Sequence, residues 1–181
     1  MHRLLRQLLA AAFALAAACA NAQAANVPSS GAPEHREIEK LFRSGDTATA
    51  MQRADKAIAE RPRDATVRFL RAVMLTELQR TGEAVDALTK LTEDFPDLPE
   101  PYNNLAVLQA AQGRIDTARE LLETALRHDP GYAVALENLG DVFLRLAQRS
   151  FERATGAGRT DENLQRKLKV TRELAGARPR P

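Results

Sequence analysis

Pro62, Pro96 and Pro130 stand 34 residues apart, and each closes a run of apolar residues spaced as on one face of a helix. A proline just past a helix end removes a backbone donor and clashes with the preceding turn, so these are three stop signals in register. A fixed period of this size restricts the fold more tightly than composition does. A unit of 34 residues is too short to bury its own apolar face, so copies must stack on one another. Twelve residues before the prolines stand Ala50, Ala84 and Ala118. Eight before stand Ala54, Leu88 and Leu122, and five before stand Ala57, Leu91 and Ala125. Offsets of i, i+4 and i+7 put the three on one helical face, with a small residue where two helices come close.

A second helix precedes each of these in the same register. Ile38, Ala72, Ala106 and Gly140 are each 34 apart, as are Leu41, Leu75, Gln109 and Phe143. Leu105 pairs with Leu139 in this way, and Asn104 with Asn138. Gly45 and Gly113 fall between the two helices of their units. Each unit therefore reads as helix, tight turn, helix, proline, an antiparallel pair that must stack on its neighbours.

The period, the alternation of small and large residues and the closing proline resemble the tetratricopeptide repeat. The unit ending at Pro130 carries the resemblance best, in Tyr102, Leu105, Ala106, Gly113, Ala118, Leu122 and Ala125. The second unit departs from the pattern: Arg71 stands where the family has a leucine, and Gln79 replaces the glycine, so its turn is expected to move to Thr81-Gly82. The first unit lacks a bulky residue near its start. The resemblance implies an all-α fold, a right-handed superhelical solenoid of antiparallel helix pairs with a C-terminal capping helix. The units are expected at about 34–62, 64–96, 98–130 and 133–155, with the cap at 161–175, within a domain spanning 34–176.

The fourth unit is irregular. Ala147, Phe151 and Ala154 repeat the second-helix spacing but arrive about five residues early, with no glycine or proline between them and the first helix. One long helix from about Ala133 to Thr155 is expected, stopped at Gly156-Ala157-Gly158, since glycine readily takes a left-handed cap. Asp161 then caps a last helix whose apolar side is Leu164, Leu168 and Ala175, with Leu174 at its edge. Arg178-Pro179-Arg180-Pro181 belongs to a short tail, 177–181, expected to be disordered.

The N-terminus has the parts of a secretory signal at 1–24. Arg3 and Arg6 precede an uncharged apolar run from Leu8 to Ala18, followed by small residues suited to cleavage after Ala22 or Ala24. The run is too short for a membrane span, which needs about 20 residues. A linker, 25–33, would follow. Export to the periplasm or beyond is the expected location. Cys19, the only cysteine, lies within the signal. It offers an alternative, cleavage just before it and lipid attachment, which would make the chain an outer-membrane lipoprotein assembly factor. Membrane attachment is expected only in that case.

Charge narrows the partners. The chain has 26 basic and 24 acidic residues. Without Arg3 and Arg6 the balance is even, which argues against a nucleic-acid binder needing a basic surplus. No catalytic constellation, metal-ligand spacing or phosphate-cradling loop is present in the sequence, so neither an enzyme nor a cofactor is expected. His35 with Glu39 supplies only two potential ligands, and His128 in the last turn of its helix suits the dipole there.

What remains is surface. In the family, the first helices of successive units line a concave groove that holds partner peptides, which makes a scaffold or adaptor in the bacterial cell envelope the implied role. Matching unit by unit gives His35, Glu39 and Arg43, then Thr66, Phe69, Val73 and Glu77. Glu100, Asn103, Asn104 and Val107 follow, then Glu137, Asn138, Asp141 and Arg145. An asparagine amide can pair with a peptide backbone or tie its own helices. Phe69 can anchor a partner side chain or fill the core. The carboxylates Glu100, Glu137 and Asp141 oppose a clamp for a partner's C-terminal carboxylate, and favour a partner with some positive charge or one read through its backbone. The partner is expected to be a protein or peptide.

Overall fold

The computed structural model describes residues 32–176. The expected signal, most of the linker and the tail lie outside the described residues. All regular structure among the described residues is helical: α1 (Ala32–Arg43), α2 (Thr47–Glu60), α3 (Ala65–Glu77), α4 (Thr81–Asp94), α5 (Pro99–Ala111), α6 (Ile115–His128), α7 (Ala133–Gly156) and α8 (Glu162–Gly176). The first helix begins two residues inside the stretch expected to be linker. The helices fall into two compact units, divided within α5 after Asn104.

In the first unit α1 packs on α2 and α3 on α4, while α3 also lies against α2 and α1. The periodic small residues explain the close approach. Ala50, Ala54, Ala72 and Ala84 are all fully buried, and Leu88 and Leu91 complete the core from α4. Asp46 and Asp64 cap α2 and α3, their carboxylates accepting from the Thr49 and Val67 amides at 3.2 and 3.1 Å. The stop signals act as expected. Helices α2, α4 and α6 end at Glu60, Asp94 and His128, two residues before Pro62, Pro96 and Pro130.

The turn in the second pair differs from expectation. Thr81 and Gly82 are the first residues of α4, and the reversal stays at Gln79, which holds a left-handed φ of 60°. Gly45 and Gly113 take φ of 91° and 79° at the same register. The hydrogen bonding is also shared. Arg80 N donates to Leu75 O at 2.9 Å, as Asp46 N does to Leu41 O and Arg114 N to Gln109 O. This closing bond, and the full burial of Leu75 one turn earlier, hold the reversal in place even without a glycine. A side chain in this conformation costs about 1–2 kcal/mol, of which glycine's extra backbone entropy offsets about half. Gln79→Gly should therefore raise unfolding free energy by about 0.5–1 kcal/mol in urea melts. A loss of stability would mean that the glutamine side chain itself contributes.

In the second unit α7 packs on α6 and α8 packs on α7. Ala118, Leu122 and Ala125 of α6 are buried, as are Ala135 and Val142 of α7. The long uninterrupted α7 matches the expectation from its lack of breakers. It ends at Gly156 with Ala157 as its cap, and Gly158 takes φ of 92°. Asp161 accepts from the Leu164 amide at 3.1 Å to start α8. Leu164, Leu168 and Thr171 are buried against α7, while Arg166 and Lys169 are exposed. Arg149 of α7 forks onto Asp116 of α6 at 2.7 and 2.8 Å.

Candidate functional site

The groove candidates divide between the two units. In the first, α1 and α3 bring one charged cluster together. Glu39 lies 2.5 Å from Arg43, one turn on. Burial pushes the Glu39 carboxyl above its ordinary value, while Arg43 and His35 pull it back. Burial likewise raises Glu77 on α3, with Arg43 as the opposing cation. Arg43 thus opposes the burial of both carboxylates, and His35 adds to it at Glu39.

This cluster has a pH signature. The cost of ionising Glu77 is absent below its ordinary value of 4.5, where the group is protonated folded or unfolded. The cost is complete once pH exceeds the raised folded value. Glu77→Gln should therefore raise the urea midpoint at neutral pH, and the gain should vanish under acid conditions below that ordinary value. An equal gain at both would place its origin elsewhere.

The other candidates in the first unit are not open surface. Phe69 is 1% exposed and Val73 3%, so both are core residues. The reason is geometric: α3 is flanked by α1, α2 and α4, and its middle turns face neighbours on several sides. Asn103 and Asn104 on α5 are buried too. The Asn104 amide donates to the Glu100 carbonyl at 2.9 Å, one turn back on its own helix. Of the two uses open to an asparagine here, its donor takes the internal one.

In the second unit Asn138 is buried, Val107 and Arg145 are half-buried, and Glu137 and Asp141 are exposed. Arg145 donates to the Ala110 carbonyl at 3.1 Å, in the last turn of α5, where a cation is favoured. Although Asp141 as a residue is exposed, partial desolvation of its carboxyl and the neighbouring Glu137 raise it, and Arg145 opposes the shift. Glu39 with Arg43 and Asp141 with Arg145 occupy the same register, three periods apart.

Arg71, the departure from the family leucine, turns away from this cluster. Its Nε donates to Asp55 of α2 at 2.5 Å. Arg68 meets Asp94 at 2.6 Å and lies 5.3 Å from the centre of the Phe95 ring. Together they border a cleft of about 800 Å³ with Arg63, Asp86 and Lys90. The two arginines are matched by the carboxylates of Asp94 and Asp55, which line the same cleft. Sequence reasoning missed this cleft, although Arg71 at a leucine position of the repeat signalled it. Among the described residues no group of three or more His, Cys, Asp or Glu is placed to hold a metal ion, and no helix is long and apolar enough to cross a membrane.

Two family models described as Tetratricopeptide repeat match the chain, over residues 41–108 and 103–160. Among curated proteins it is similar to the TPR repeat-containing protein YvcD of Bacillus subtilis (strain 168), 38% identical over 69 residues, which are 38% of this chain and 14% of that protein. It is also similar to Tetratricopeptide repeat protein 16 of Homo sapiens, 28% identical over 149 residues, covering 73% of this chain and 17% of that one. The chain thus spans less than a fifth of either relative. Among solved structures, PilW, a type IV pilus biogenesis factor, aligns with a TM-score of 0.60 at 21% identity, over 83% of this chain and 72% of that one. The first TPR domain of Spaghetti (RPAP3), bound to the HSP90 peptide SRMEEVD, aligns with a TM-score of 0.58 at 18% identity, over 62% and 90%. At these identities the likeness is one of fold. Matched by two models of one family over residues 41–160, and folded like its solved members, the chain belongs to the tetratricopeptide repeat family.

Proposed function

We propose that this chain is a non-catalytic binding scaffold of the bacterial cell envelope, exported by its N-terminal signal, that takes a peptide or protein partner on the first helices of its repeats. Family membership supports the scaffold role, and the RPAP3 domain seen with a bound peptide is a precedent for it in another protein. The observation that carries the choice of partner is the cluster of Glu39, Arg43 and Glu77. Two carboxylates held above their ordinary value by burial, opposed by Arg43 at both and by His35 at Glu39, form an acidic pair that a partner's lysine or arginine would neutralise. The partner is therefore a peptide with positive charge.

The test is fluorescence anisotropy of labelled lysine-rich and glutamate-rich peptides against residues 25–181. The lysine-rich peptide should bind more tightly, in a salt-dependent way, and lose affinity in a Glu39→Lys, Glu77→Lys variant. Preference for the acidic peptide would overturn the reading. Export is tested by the mass of the mature protein recovered from a bacterial envelope fraction. A start after Ala22 or Ala24 supports a free exported protein, a lipid-bearing Cys19 supports the anchored alternative, and an intact N-terminus in the cytoplasm overturns both.

A further inference from the structure

The fourth repeat lacks its second helix where that helix is needed. Ile38, Ala72 and Ala106 share one register position and are all fully buried. In the first two repeats the adjoining helix, α2 or α4, packs on the helix that carries this residue. The equivalent Gly140 on α7 is exposed, and a Cβ built there would meet no heavy atom within 4 Å. Leu75, fully buried, becomes Phe143, 50% exposed, and Leu136 one turn before Gly140 is 51% exposed.

The cause lies in the chain. With no breaker near Ala147, α7 runs on to Gly156, and the chain reverses only at Gly158. Helix α8 brings the second-helix spacing of Leu164, Leu168 and Thr171, but twelve residues late against the 34-residue register. Its contacts therefore fall on the later turns of α7, as the ion pair of Arg172 with Glu152 at 3.0 Å marks. The earlier turns, at Leu136, Gly140 and Phe143, keep an apolar stripe with the spacing of a helix contact and, among the described residues, no helix on it.

We propose that this stripe docks an amphipathic helix of another polypeptide, patterned like α4 and α6 with alanine at the crossing and leucines beside it, and bearing lysine or arginine along one edge. The crossing residue follows from register: Gly140 sits where the repeats place two helices closest, so a small residue belongs opposite it. The basic edge follows from charge. Glu137 and Asp141 border the stripe one turn apart, a like-charged pair that destabilises an isolated helix and that Arg145 offsets only in part, since Asp141 still stays above its ordinary value. Both are exposed, and cations alongside would relieve the repulsion. A second copy of this chain is the poorer occupant, because a two-fold contact sets the same patch against itself and would bring the acidic edges together. The stripe is distinct from the Glu39 and Glu77 cluster and does not rest on it.

The test uses residues 25–181 and a labelled synthetic helix carrying alanine and leucines at the spacing of Ala118, Leu122 and Ala125, with lysines on its flanks. It should bind the wild type, and Leu136→Glu or Phe143→Glu should weaken it by about tenfold or more. Circular dichroism should stay unchanged, since both residues are already half in water. Glu137→Lys with Asp141→Lys should weaken the basic helix and favour a version with glutamate flanks. Glu39→Lys with Glu77→Lys should leave binding intact, which separates this surface from the peptide site. Absence of binding, or binding indifferent to the two glutamates in the stripe, would overturn the proposal. Concentration-dependent self-association in sedimentation that Phe143→Glu abolishes would instead assign the stripe to a second copy.

Discussion

Phe69→Ala should cost about 3–5 kcal/mol of unfolding free energy, enough to unfold much of the chain at physiological temperature. The ring is 1% exposed within α3, where Leu70, Val73 and Leu75 are buried as well. Truncation removes the transfer energy of the ring and leaves a cavity that packed helices close only in part. The consequence for function is direct. Phe69 sits at a groove position by register, and a binding defect in Phe69→Ala would report lost structure and not a lost anchor. Phe69→Leu, which keeps most of the volume, should cost less than about 1.5 kcal/mol and leave peptide binding unchanged. Urea melts with parallel anisotropy check both. A stable, folded Phe69→Ala chain that fails to bind would return the ring to the partner surface.

Leu122→Ala should cost about 2–5 kcal/mol, whereas Leu136→Ala should stay within about 0.5 kcal/mol. Both leucines sit at apolar positions of the repeat register. Leu122 is 1% exposed in the core of the second unit, and Leu136 is 51% exposed on α7. The contrast tests whether the start of α7 lacks a covering helix in solution. If Leu136→Ala were as costly as Leu122→Ala in the isolated chain at low concentration, the stripe would already be covered. The docking proposal above would then fail on stability grounds, independently of any peptide.

Helix ends were legible because they depend on short-range backbone chemistry. Proline lacks a donor, glycine accepts a positive φ, and aspartate accepts from an amide three residues on. Pro62, Pro96, Pro130, Gly45, Gly113 and Asp161 all act where the sequence places them. Gln79 was misread for the same reason. By local preference the turn belongs at Gly82, but buried Leu75 and the bond from Arg80 to its carbonyl hold the reversal at Gln79.

The site was less legible. Register names which residues stand on first helices, but a phenylalanine or asparagine suits core and groove alike. Phe69, Val73 and Asn104 were assigned inward by neighbouring helices distant in the chain. The charged residues Glu39, Arg43 and Glu77 acquired their character only when α1 and α3 met. By itself the sequence determined the repeat, its helices and most of their ends, because periodic apolar spacing and turn chemistry act locally. Tertiary structure alone decided which periodic residues are core, which carboxylates are partly desolvated, and that one stripe on α7 stays uncovered, because burial is a property of what packs on a helix and not of the helix itself.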